Sequence, residues 1–132
     1  MIRQRFREER SSLGIVLRPV AEAILEKDSF AVEVPMYVDS GADVSMIPFR
    51  FGKALGFKQE KEDTIQEIRG VSGEGVPYIL TKVTLLLNGK RLKIRMAWAL
   101  VEEVPMLMGR MDIFDKFRVV FDERNGWIDF EE

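Results

Sequence analysis

Apolar and polar residues alternate from Phe30 to Asp39, with Phe30, Val32, Val34, Met36 and Val38 on one side and Ala31, Glu33, Pro35, Tyr37 and Asp39 on the other. A period of two over this length predicts a strand with one buried face. The segment before it is mixed, because Ala21-Glu22-Ala23-Ile24-Leu25 holds helix formers while Gly14-Ile15-Val16-Leu17 favours a strand. The alternating neighbour decides for strand throughout Leu13 to Leu25, joined to it by a turn at Glu26-Lys27-Asp28-Ser29. Such a hairpin delivers Asp39 to the end of its second strand. Pro35 has no amide to offer a ladder, so its N side should face an edge or a bulge.

Further on, Pro48 suits the first turn of a short helix and Gly56 its C-cap, with Gly52 weakening it between them. The charged stretch Lys58-Gln59-Glu60-Lys61-Glu62-Asp63 reads as a surface connection. Thr64 to Arg69 and Val76 to Leu87 read as strands of a long hairpin whose tip, Gly70 to Gly75, is rich in glycine and able to bend. Asn88-Gly89 is a strong hairpin signal, after which Leu92, Ile94, Met96, Trp98 and Leu100 alternate with Arg91, Lys93, Arg95, Ala97 and Ala99. A second short helix is expected over Met111 to Phe117, and a final hairpin over Arg118-Val119-Val120-Phe121-Asp122 and Trp127-Ile128-Asp129-Phe130. This inventory, mainly β with one or two short helices, suits a small closed β-barrel.

The 132 residues are enough for one domain with one core. Residues 1–12 are charged and poor in core formers, so we expect a flexible N-terminal extension before a domain over 13–132. Without cysteine or histidine, disulfides, thiolate zinc sites, imidazole metal sites and histidine-based triads are all excluded. Catalysis is left to carboxylates and hydroxyls. The net charge of −2 argues against nucleic acid or an anionic membrane as the main partner, and Arg91, Lys93 and Arg95 are expected on the solvated face of their strand. No run is apolar enough for a membrane span, and the start of the chain lacks a signal-peptide core, so a cytoplasmic protein is expected.

The stretch with the clearest chemistry is Val38-Asp39-Ser40-Gly41-Ala42, an acid followed by a hydroxyl, a glycine and a small residue at a strand end. Such a loop can aim one carboxylate into a cleft while its own amides hydrogen-bond that acid. Here the chain resembles the retropepsins, the retroviral type of aspartic protease, whose active-site loop reads apolar-Asp-Thr/Ser-Gly-Ala. Two further segments fit the family's order. Ile68-Arg69-Gly70-Val71-Ser72-Gly73-Glu74-Gly75 stands where the family has its flap, and Met106-Leu107-Met108-Gly109-Arg110 matches its apolar-apolar-Gly element.

The resemblance implies a closed barrel of the retropepsin type that works as a homodimer on peptide or protein substrates, with no cofactor. It implies that Asp39 is the catalytic aspartate, that Ser40 bonds across the dimer axis, and that Gly41 and Ala42 leave room for backbone and substrate. Asp43 and Arg110 would form a supporting ion pair, Gly70, Val71, Ser72 and Gly73 would cover the peptide, and Tyr37 and Leu107 would wall the pocket. The motif occurs once, so a dyad of carboxylates needs a second chain. A metal held by Asp39, Asp43, Asp112 and Asp115 lacks the spacing of a calcium loop, and a two-carboxylate glycosidase has only the number of acids in its favour. The alternative from another class is a catalytically silent dimerisation or peptide-binding module. Intact Asp39, Ser40 and Gly41 favour the enzyme.

Overall fold

The hairpin of β4 (Val20–Lys27) and β5 (Phe30–Val38) sends Val34, Met36 and Val38 inward, against Ala21, Ala23 and Leu25 of its other strand. In the computed structural model, which describes residues 1–69 and 75–132, this hairpin is one wall of a barrel. Before it come β1 (Ile2–Arg5), β2 (Arg7–Ser11) and β3 (Gly14–Arg18). After it follow β6 (Ser45–Ile47), α1 (Phe49–Ala54), β7 (Ile65–Arg69), β8 (Gly75–Leu87), β9 (Lys90–Ala99), β10 (Leu107–Met108), β11 (Arg118–Asp122) and β12 (Trp127–Glu131).

Strands run β4-β5-β10-β6-β9-β8 around the wall, and β8 pairs back onto β4 through Ile24↔Leu86, Leu25↔Leu85 and Glu26↔Thr84. That last pairing closes a six-stranded ring and removes its edges. β7 lies outside the ring and, among the described residues, pairs with β8 alone. Leu25, Val34, Met36, Leu85, Leu87, Ile94, Met96, Trp98 and Met108 fill the interior. Pro35 lies beyond the short stretch of β5, Tyr37 and Val38, that β10 pairs with, so its missing amide costs the ladder nothing on that side. Helix α1 packs on the barrel because Gly52 admits the Trp98 ring, whose Nε1–H donates to the Phe49 carbonyl at 3.0 Å. A Cβ on Gly52 would lie 2.1 Å from that indole nitrogen.

Three expectations need correction. Residues 1–12 are not a free tail: β1 pairs antiparallel with β12, placing Ile2 opposite Phe130 and Arg3 opposite Asp129. Their charge hid an alternation in which Ile2, Gln4 and Phe6 turn toward the body while Arg3 and Arg5 turn outward onto Trp127. Arg3 meets the buried Asp129 carboxylate twice, at 2.7 and 3.0 Å, and lowers its pKa. The Gln4 amide bonds both the N–H and the carbonyl of Glu22, at 2.7 and 3.0 Å, as a neighbouring strand would.

The expected single strand over Leu13 to Leu25 is divided, with β3 ending before Pro19 and pairing with β2, and β4 starting after it. The segment Met111 to Phe117 forms successive turns in place of a helix. Asp112 adopts φ +67, which no α-helix tolerates, and its carboxylate accepts the Arg95 amide at 2.8 Å and Nε and Nη2 at 2.9 Å each. Ala97 and Ala99 alternate with the core side of β9 and are buried too, because a second apolar cluster covers them. No helix among the described residues is long and apolar enough to cross a membrane.

Arg95, chiefly through its side-chain hydrogen bonds, holds Asp112 at about 2, below the ordinary carboxylate range. The folded state therefore gains from the ionised form at every pH above the unfolded value near about 4, and this gain disappears as pH falls through about 2. Asparagine also tolerates positive φ, so Asp112→Asn isolates the charge. Thermal melts should show the variant a few degrees less stable at neutral pH and converging with the parent as pH drops toward about 2.

Candidate active site

At the end of β5 the alternation that buries Val34, Met36 and Val38 turns Tyr37 and Asp39 to the opposite face. The Asp39 amide donates to the Met108 carbonyl at 3.0 Å, and the Ala42 amide donates back to the Asp39 carbonyl at 3.2 Å, closing a tight loop. Within that loop the Gly41 amide donates to Asp39 Oδ1 at 2.8 Å and fixes the carboxylate's orientation. Asp39 stays partly open to solvent, and Ser40 and Gly41 are exposed. A single carboxylate can take or give a proton, whereas hydrolysis of a peptide by carboxylates needs one to do each.

The loop is held from one side by residues 108–111. Arg110 and Met111 donate their amides to the carbonyls of Ala42 and Asp43, at 2.9 Å each, and Gly109 donates to the fully buried Ser45 hydroxyl at 3.0 Å. Arg110 Nη2 bonds Asp43 Oδ1, and its Nη1 reaches the Ser40 carbonyl at 3.4 Å. The Asp43 and Arg110 side chains are in contact but exposed, at 82% and 53%. Asp43 and Asp112 are each engaged by an arginine, and among the described residues no three carboxylates gather where they could hold a metal ion.

On the β6 side, Leu107 pairs with both Tyr37 and Met46 and joins the second apolar cluster, which includes Val44, Ile68, Val76, Tyr78 and Val104. On the other side the Tyr37 hydroxyl meets Glu9 of β2, a residue that sequence pattern alone did not single out. That hydrogen bond, with burial second, raises the Tyr37 pKa. Gly70, Val71, Ser72 and Gly73 lie outside the described residues; the strands leading to them end at the pair Arg69↔Gly75. A concavity of about 850 Å³ lies away from Asp39, between β4, β8 and β9, lined by Lys82, Lys93 and Arg95 among others. Of the basic residues expected on the solvated face of β9, Arg91 pairs with Glu26 and Arg95 with Asp112.

No protein-family model and no curated protein sequence matches the chain. A solved structure of a retropepsin-like aspartic protease from Rickettsia conorii matches 97% of this chain and 98% of its own, with a TM-score of 0.68 at 18% identity. The fold is that of the retropepsins. EIAV protease, solved in complex with an inhibitor, matches 70% of this chain and 82% of its own, with a TM-score of 0.55 at 26% identity. These neighbours of the retropepsin fold are aspartic proteases.

The relative strength of the holds on the loop is measurable. An exposed ion pair contributes under about 1 kcal/mol, so Arg110→Ala should barely shift the melting temperature of the chain. A Cβ on Gly109 would come within 2.5 Å of the Val44 carbonyl carbon and oxygen, which are backbone and cannot swing away. Gly109→Ala should cost about 3 kcal/mol, or about 10 °C in melting temperature. A loss on Arg110→Ala as large as that on Gly109→Ala would put a main hold in the ion pair.

Proposed function

We propose that the chain is an aspartic endopeptidase whose active site forms between two copies, each supplying Asp39 across a two-fold axis. The observation that carries this reading is the Asp39 carboxylate, held by the Gly41 amide at a strand end on a retropepsin barrel and left open to solvent. One chain supplies one such acid. An isologous pair supplies two, and an open surface in one copy becomes a cleft in the dimer.

Two carboxylates facing one another do not both ionise readily, so the pair holds one proton between them. The ionised member takes a proton from water as the water oxygen attacks the peptide carbonyl carbon, and the protonated member gives its proton to the carbonyl oxygen. The product is a tetrahedral gem-diol. Its C–N bond then breaks as the first carboxyl protonates the departing amine and a diol hydroxyl returns a proton to the second carboxylate. An acid and an amine leave, and the dyad again holds one proton.

In this reading Ser40 bonds across the axis, Gly41 and Ala42 keep the backbone clear for the substrate, and Asp43 and Arg110 brace the loop. Gly70, Val71, Ser72 and Gly73 close over an extended peptide, and Tyr37 and Leu107 wall the pocket. The apolar cluster of Val44, Ile68, Val76, Val104 and Leu107 supports a preference for apolar side chains on that side of the site.

The test is digestion of a peptide library by the parent and by Asp39→Asn across acidic and neutral pH, with sedimentation at micromolar concentration. The parent should sediment as a dimer, and its rate should trace a bell in the acidic range, falling on the alkaline side as the shared proton leaves. Asp39→Asn should lose at least about a thousandfold in rate while keeping its fold, since an amide cannot act as the base. Cleavage by Asp39→Asn at the parental rate would refute the mechanism. Peptide binding without cleavage by the parent would make the chain a silent module.

A further inference from the structure

Glu9 belongs to none of the segments that hold the Asp39 loop, yet both of its carboxylate oxygens lie against the Tyr37 hydroxyl, at 2.9 and 2.7 Å. The phenol donates, and Glu9 accepts. Arg18 Nε stands 3.3 Å from the same carboxylate and Arg7 Nε 4.0 Å. Glu9 is thus mostly withdrawn from water and compensated on two sides, although it sits on a hairpin with little other attachment. Among the described residues β2 and β3 pair only with each other, and Leu13, Ile15 and Leu17 are 88%, 66% and 50% exposed. The hairpin is tied at its base by the buried Phe6, whose amide donates to the Gly126 carbonyl at 2.8 Å. Farther along, its tie to β5 is Glu9 on Tyr37.

Tyr37 is two residues before Asp39 and on the same face of the chain, and it pairs in register with Leu107. Whatever fixes its ring therefore shapes the surface beside the carboxylate. The hydroxyl has one hydrogen to give, and it goes to Glu9. A ligand beside Tyr37 then meets the ring carbons and finds no free donor.

We propose that Glu9 is a specificity-determining positioning residue: through the Tyr37 hydroxyl it holds the wall beside Asp39 in an apolar form and makes the β2–β3 hairpin part of the substrate site. The inference rests on the endopeptidase reading and adds to it a substrate class, peptides with an apolar side chain at the position facing Tyr37. In Glu9→Ala the phenol is released, free to turn into the cleft and donate to a polar side chain there. Selectivity falls because the polar competitor gains a partner that the parent denies it.

The experiment starts from a peptide that the parent cleaves and varies its residues near the scissile bond between leucine and glutamine. The parent should favour leucine at one of these positions. Glu9→Ala should lose up to about tenfold of that preference, the upper end for a hydrogen bond between the phenol and a neutral amide, and the loss should appear in KM more than in kcat. Glu9→Gln keeps an acceptor oxygen and should retain most of the preference. Tyr37→Phe has no hydroxyl to release, so it should keep the preference, and adding Glu9→Ala to it should change nothing further. A structural role for Glu9 would instead give the same loss in both backgrounds.

Ultraviolet titration of the phenol gives a readout independent of turnover, since loss of Glu9 should lower the Tyr37 pKa toward its ordinary value. Should Glu9→Ala fail to fold, loss of the preference in Tyr37→Phe would still overturn the proposal, because that variant has no hydroxyl to release. The proposal is overturned by an unchanged preference in Glu9→Ala, or by equal losses with and without the Tyr37 hydroxyl, in a parent that cleaves. A parent that cleaves no peptide overturns the endopeptidase reading itself.

Discussion

Residues 106–111 pass through the fork between β5 and β6, and the surroundings of Asp39 depend on that passage. The Met106 carbonyl accepts the Tyr37 amide at 2.9 Å, β10 runs parallel to β5 and antiparallel to β6, and the Arg110 and Met111 amides then close on Ala42 and Asp43. The fit is possible because Gly109 presents no side chain to the Val44 backbone and because the buried Ser45 hydroxyl accepts the Gly109 amide. The Asp39 amide and the Ala42 and Asp43 carbonyls are thereby tied to residues 108–111, which orders the loop through its main chain. The exposed bond between Asp43 and Arg110 adds orientation to a connection already made by the main chain.

Around that passage the barrel is closed by contacts remote in sequence. β8 reaches back to β4, and β1 adds to β12 at the opposite end of the chain, where Arg3 compensates a buried Asp129. The same N-terminal segment continues into the β2–β3 hairpin and so to Tyr37. The charged start of the chain thus touches both β12 and Tyr37, two residues before Asp39.

What could be read from the sequence was local. The alternation through β5, the Asn88-Gly89 turn and the Asp-Ser-Gly-Ala loop each carry their cause within a few residues. What could not be read depended on a distant partner. Arg3 and Arg5 look like a solvated tail until Trp127 and Asp129 are placed beside them. The helix expected over Met111 to Phe117 gives way to turns in which Arg95, on a strand that shares no local pattern with the segment, binds the carboxylate of Asp112 at positive φ. Glu9 carries no signal because its meaning lies in a phenol 28 residues away.

The central claim is that one active site needs Asp39 from two chains, and mixing tests it most directly. Parent and Asp39→Asn chains, combined at fixed total concentration and allowed to exchange subunits, should lose activity as the square of the parental fraction. An equal mixture then retains about a quarter of the parental rate, because mixed dimers carry a single aspartate. A linear decline, with about half of the rate left at equal proportions, would mean that each chain catalyses alone and would contradict the shared site.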